Sequence, residues 1–229
     1  MTLPITGISS MATRQVLAEL AAAYRERTGV AVDMESVGGV DAARRVAAGE
    51  PFDVVVLASD AIAKLEAAGA VVAGSATPLV RSNVAIAVRA GTPAPDVGCE
   101  EALKRAVLAA RTIGYSTGPS GTALLQLFER WGVADAVRAR VVQAPPGVPV
   151  GTLVARGNVE LGFQQYSELM SLSGITVLGT MPPGSEIVTI FTGAVCAVSK
   201  QPDAVRALLG FMQSPHAADA KRRHGMDPA

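Results

Sequence analysis

Asp53-Val54-Val55-Val56-Leu57-Ala58-Ser59-Asp60 decides the fold class. A β-branched run with no polar alternation cannot serve as a strand with one wet face. It reads as a strand buried on both sides, the kind found in parallel sheets covered by helices. The small and polar residues after it end the strand and open a helix over 62–67. Outward from this stretch, short apolar runs at 30–34, 84–88, 112–115, 141–143, 161–163, 175–178 and 187–191 repeat the pattern. Helical spacing separates them. Thr13, Leu17, Leu20 and Tyr24 share one face of 11–27. Leu124, Leu127, Phe128 and Trp131 do so before Gly132, and Val205, Leu208, Leu209 and Met212 near the end. Strand–helix–strand order throughout predicts an α/β fold with parallel-rich sheets.

Composition removes several classes of function. Among 229 residues, 20 Lys and Arg balance 20 Asp and Glu, so the excess basic charge that phosphate binding needs is missing and nucleic acid is no partner. Apolar residues make up 49% and charged ones 17%, which excludes a disordered chain. The 2 cysteines, Cys99 and Cys196, cannot build a disulfide framework or a zinc site by themselves. The 2 histidines, His216 and His224, both lie near the end, which excludes a His-rich metal site; no metal or organic cofactor is expected. No stretch is long and apolar enough for membrane insertion, and no leader pattern opens the chain. As written it reads as cytoplasmic, and as periplasmic if a leader has been removed. Lys221-Arg222-Arg223 reads as a solvated helix end.

In parallel α/β sheets, ligands collect outside the carboxyl ends of strands, where helix starts expose backbone N–H groups at the positive end of the dipole. The sequence places small residues at several such junctions. Ser9 and Ser10 follow the opening strand, and Gly38 and Gly39 precede a helix starting near Asp41. Ser59 follows the decisive strand. Ser116, Ser120 and Gly121 precede a helix over 123–131. Each alone is an ordinary capping pattern; converging, they would hold a small anion without a lysine. Gln164 and Gln165 directly follow an apolar strand, and buried amides demand partners, so a ligand is one reading and an exposed turn the other. Arg81, followed by Ser82, is placed to clamp a carboxylate if it is not simply a surface residue.

The motif order resembles the type 2 periplasmic solute-binding proteins, in the branch around molybdate-binding proteins. The resemblance runs through 16–20, 28–30, 48–55, 115–121, 160–163 and 214–226. It implies two α/β lobes joined by two crossing strands, near 84–88 and 187–198, with a ligand cleft at the hinge. Lobe one would be 1–83 with 192–229, and lobe two 84–191. Molybdate binders carry a serine-rich junction where this chain has Gly38-Gly39-Val40, and a tyrosine near Gln165. Through Tyr115-Ser116, Ser120-Gly121, Val148-Pro149-Val150 and 162–169, the chain is more similar to a side branch that includes aconitate isomerase. That likeness implies a small polycarboxylate as the anionic ligand, with Val150 beside it.

Two functions follow from the resemblance. One is a binding module, with a transporter as partner if the chain is exported. The other is an isomerase moving a proton across three carbons of an unsaturated polycarboxylate. The second needs a base, for which Tyr115, Tyr166, Asp41 and Glu168 have equal claims; an amide cannot serve.

Overall fold

The computed structural model describes residues 3–229. The elements in chain order begin with β1 (Ile5–Ser10), α1 (Arg14–Thr28), β2 (Val32–Val37), α2 (Gly39–Ala47), β3 (Val54–Ala58), α3 (Ser59–Ala67) and β4 (Thr77–Arg89). There follow α4 (Glu100–Ala109), β5 (Ile113–Tyr115), α5 (Pro119–Arg130), α6 (Ala134–Val137), β6 (Val141–Gln143), α7 (Val150–Ala155), β7 (Leu161–Gln165) and α8 (Tyr166–Leu169). The last are β8 (Ile175–Thr180), β9 (Val188–Val195), α9 (Pro202–Gln213), α10 (Ala218–Arg223) and β10 (Met226–Pro228). The chain divides into two compact units. Unit 1 comprises the residues up to Ser82 with Thr189–Ala229; unit 2 is Asn83–Val188. The first boundary falls inside β4. The second lies at the start of β9, earlier than the 191/192 boundary expected from the sequence.

In unit 1, β2, β1 and β3 are parallel and adjacent in that order, and β9 runs antiparallel to β3. β3 shows why an unbroken apolar run was needed. Its alternate residues point to opposite faces, and both faces are covered. Val54, Val56 and Ala58 join Val16, Leu17 and Leu20 of α1 and Leu208 of α9 in one core. Val55 and Leu57 join Ala42 and Val46 of α2 and Ile62 and Leu65 of α3 in another. Because the chain leaves β1 for β2 and returns to β3 on the other side, α1 and α2 lie on opposite faces. The strand order thus reverses at β1.

Asp53 staples the opposite edge of this sheet. Its carboxylate accepts from Thr6 N and Oγ1 at 3.0 Å, Ser199 Oγ at 2.7 Å and Gln201 Nε2 at 3.0 Å. Burial raises the carboxyl pKa, but these donors together outweigh it and hold the group below its ordinary value. Near the end of the unit the structure corrects one expectation. Lys221 is 1% exposed rather than solvated. Its place on α10 turns it inward, and burial lowers its pKa.

Unit 2 has the strand order β4-β7-β5-β6, with β5, β6 and β7 parallel. β4 is antiparallel to β7 and also pairs antiparallel with β8, with a register shift between Ile86 and Ala87. The sheets of both units are therefore mixed. Apolar content alone did not distinguish the antiparallel β4, β8 and β9 from their parallel neighbours. Val84, Ile86 and Val88 face a core with Leu103 of α4 and Leu124 and Phe128 of α5. Ala85 and Ala87 face Leu169 on the other side.

Paired glycines, Gly114↔Gly162 in register, let α7 sit close to this sheet. A Cβ on Gly162 would stand 2.5 Å from Val154 Cγ2, and one on Gly114 2.9 Å from Val150 Cγ1. α5 starts at Pro119, not at 123, so Ser120 and Gly121 belong to its first turn. Proline suits a helix start because the N–H it lacks would have no partner there.

Candidate functional site

The candidate junctions of unit 1 lie on one edge. Since β1, β2 and β3 are parallel and in register (Ser9↔Ser36, Ser9↔Val56), their carboxyl ends emerge together. α2 and α3 start there without side-chain caps, because Gly38 and Ala58 have no side-chain acceptor to give. Their first-turn amides stay open at the positive end of each dipole.

Against the start of α2 lies Ser10. It is 8% exposed, its Oγ is buried without a hydrogen-bond partner, and its Cβ is 3.7 Å from where a Cβ on Gly39 would stand. An unsatisfied buried hydroxyl costs about 1–3 kcal/mol. The arrangement leaves one donor and several amides free for an acceptor brought from outside.

Other expected residues of unit 1 are differently employed. Ser9 Oγ is 2.8 Å from Ser36 Oγ and serves the pairing of β1 with β2. Ser59 Oγ donates to Ile190 O at 3.1 Å and lies 2.7 Å from Thr192 Oγ1, tying α3 to β9. Arg81 is exposed on β4 opposite Asp227 of β10 and makes no ion pair among the described residues. Ser82, next to it, is 0% exposed with an unpartnered Oγ in the strand interior. Asp41 is engaged by Arg44 on the surface of α2.

In unit 2 the carboxyl ends of β5, β6 and β7 also share an edge, with Tyr115 opposite Gln143 and Gly114 opposite Gly162. The start of α5 is capped by no side chain. Ser116 Oγ lies 3.1 Å from the buried Ser120 Oγ across the turn. Gly121 is required there, because any Cβ would stand 1.9 Å from Ser116 O. The Val150 side chain is wholly buried, seated against Gly114 and Gly162, so its packing role is plain and only its backbone is left for a ligand. Gln165 is buried at the end of β7, opposite Val84.

Gln164 does something the sequence did not reveal. Its Oε1 accepts the Gly151 N–H of α7 at 3.2 Å. The amide is thereby oriented so that Nε2 donates to Glu168 Oε1 at 2.8 Å. Burial pushes the Glu168 carboxyl up to about 7, with the Gln164 bond pulling the other way. The i, i+4 spacing of Gln164 and Glu168 was the available signal. The junction between β7 and α8 hid it, since such spacing is read on continuous helices. The other candidate bases have plainer settings: the rings of Tyr115 and Tyr166 pack on the cores of unit 2. Among the described residues, no group of His, Cys, Asp and Glu is assembled for a metal ion.

A reversed strand order, with open helix starts gathered at the carboxyl edge, is the arrangement in which α/β proteins take up ligands. Comparison makes this specific. The chain belongs to the bacterial extracellular solute-binding protein family, whose model matches residues 5–227. It is 37% identical over 230 residues to an aconitate isomerase from a Pseudomonas species, covering 98% of this chain and 87% of that one. It is 30% identical over 182 residues to the molybdate-binding protein ModA of Azotobacter vinelandii, covering 77% and 71%. The sulfate-binding protein SubI of Mycobacterium tuberculosis shares the fold, with a TM-score of 0.80 at 20% identity, covering 100% of this chain and 88% of that one. Among the described residues, no helix is long and apolar enough to cross a membrane.

Proposed function

We propose that this protein binds a small polycarboxylate through backbone amides and hydroxyls at the carboxyl edges of its parallel strands. The observation that carries the reading is Ser10, a buried hydroxyl with no partner set against the uncapped start of α2. Gly39 in place of a hydroxyl-bearing residue supports an organic acid over a tetrahedral oxyanion, which needs donors on every side. The exposed Val40 in the first turn of α2 adds an apolar neighbour that a carbon skeleton can use and a bare oxyanion cannot. Arg81, Ser82, Ser116, Ser120 and Gln165 remain candidates for the carboxylate groups. In a receptor role the protein works outside the cytoplasm and a membrane transporter is its partner.

Calorimetry with trans-aconitate, sulfate and molybdate tests the reading. We expect trans-aconitate to bind and to raise the unfolding midpoint, by about 2.7 kcal/mol of stability at 100 times its Kd. Binding of molybdate alone would exclude the polycarboxylate.

A second reading has its own support. The 37% identity to an aconitate isomerase extends over 98% of the chain, which favours conversion of the bound acid between its cis and trans forms. Proton NMR of trans-aconitate incubated with the protein distinguishes conversion from binding alone.

A further inference from the structure

We infer that Glu168 is the residue that carries the proton in the isomerisation; this rests on the second reading above. Such a shift needs one group that takes a proton from carbon and returns it, held still and kept partly dry. Four residues had equal claims from the sequence, and their settings separate them: Asp41 is engaged by Arg44, and the rings of Tyr115 and Tyr166 pack on apolar cores. Glu168 stands on α8 directly after β7, on the edge where β5 and β7 end and α5 begins. It is held there by a chain of two bonds, Gly151 N–H to Gln164 Oε1 and Gln164 Nε2 to Glu168 Oε1. α7 thereby fixes the amide, and the amide fixes the carboxyl.

The anchor of that chain is tightly packed: Leu169 and Leu172 crowd the start of α7, 2.9 and 2.5 Å from where a Cβ on Gly151 would lie. Glu168 makes no ion pair among the described residues, and Gln164 is its one hydrogen-bond donor there. A carboxyl so placed exchanges its proton near neutrality, as burial dictates.

With trans-aconitate the step balances without a co-reactant. A Glu168 carboxylate oxygen takes a proton from the methylene carbon. The C–H electron pair delocalises over the three carbons and onto the adjoining carboxylates, as in an enolate. The same proton then returns to the former vinyl carbon, and the double bond moves one position. Connectivity is unchanged because the skeleton is symmetric, and the geometry of the new double bond is set by the rotamer about the former single bond in which the acid is held when the proton leaves. Nothing is oxidised or reduced.

The test is proton NMR of trans-aconitate in D2O with the wild-type protein, Glu168→Gln and Gln164→Leu. The wild type should form cis-aconitate, and E168Q should be slower by at least a hundredfold. E168Q should still unfold no earlier than wild type at pH 8, which shows that the loss is not misfolding. Gln164→Leu removes a donor that favours the ionised carboxylate, so the midpoint of its rate–pH profile should move to higher pH. A purely structural role for Glu168 would leave the midpoint where it was. E168Q within threefold of an active wild type overturns the assignment of Glu168 alone. A wild type that binds trans-aconitate but neither converts it nor exchanges its protons overturns the isomerase reading, and this assignment with it.

Discussion

Ser10 and Gly39 stand within van der Waals reach of each other, 3.7 Å between the Ser10 Cβ and the place a Cβ on Gly39 would occupy. Nothing blocks a methyl there, since the next nearest atom, Leu57 Cδ2, is 3.9 Å away. Gly39→Ala should therefore stabilise the protein by about 0.4–1 kcal/mol, by narrowing the unfolded ensemble. It should also weaken trans-aconitate binding, because the methyl enters the space left for the anion. Urea unfolding and calorimetry on the same variant check both halves. Unchanged affinity would remove the start of α2 from the site.

Ser10→Ala should have the same signature for a different reason. Removing an orphaned buried hydroxyl relieves a penalty of about 1–3 kcal/mol, so the unfolding midpoint should not fall. Affinity for trans-aconitate should drop about tenfold, the worth of one hydrogen bond of about 1.4 kcal/mol. A variant that is destabilised, with binding intact, would make Ser10 a packing residue.

Glu168 predicts an unusual pH dependence of stability. Its folded pKa, about 7, lies above the ordinary 4.5. Between those values the native state holds more protons than the unfolded chain, so stability falls as pH rises through the interval. The loss is complete above pH 7 and is at most a few kcal/mol. Glu168→Gln should remove it, making the variant more stable than wild type at pH 8 and little changed at pH 4.5. Urea midpoints at the two pH values measure this directly.

Asp53 works in the opposite direction. Its folded pKa lies below the ordinary 3.8, so its contribution is present above that value and is lost as pH falls through the folded pKa. Asp53→Asn cannot accept from Thr6, Ser199 and Gln201 together. It should cost about 1.5–3 kcal/mol at pH 7, with the difference from wild type shrinking in acid. Denaturant titrations at pH 7 and pH 3 provide the comparison.

Gly162→Ala should destabilise unit 2. The added Cβ would lie 2.5 Å from Val154 Cγ2 and 3.1 Å from Val150 Cγ1, both in the core beneath α7. Overpacking of this kind costs about 1–3 kcal/mol. Circular dichroism during urea unfolding should show an earlier midpoint, and a wild-type midpoint would mean that α7 shifts freely.

The fold was legible where one residue type repeats under one constraint. Val54 to Leu57 had to be a strand covered on both faces, and it feeds two cores. The antiparallel sense of β8 and β9 was not legible, because a buried antiparallel strand is as apolar as a parallel one. Lys221 misled for a related reason: a charge run says nothing about which of its members turns inward. In the candidate site, Ser10 and the Gly38-Gly39 junction were readable as small residues after strands. The tie from Gly151 through Gln164 to Glu168 was not, since it joins three elements through side-chain atoms and a backbone amide that no spacing encodes. Ser9 and Ser59 could not be separated from Ser10, because what distinguishes them is a neighbour on another strand.

The division of the chain also bears on the route by which it folds. Unit 2 is one uninterrupted stretch, whereas unit 1 is assembled from segments on either side of it. During synthesis all of Asn83–Val188 leaves the ribosome before β9, α9 and β10 exist to complete the sheet of unit 1. Domains fold as they emerge. The middle of this protein is therefore complete first, while β1 to β3 wait with the edge of β3 unpaired until β9 is made.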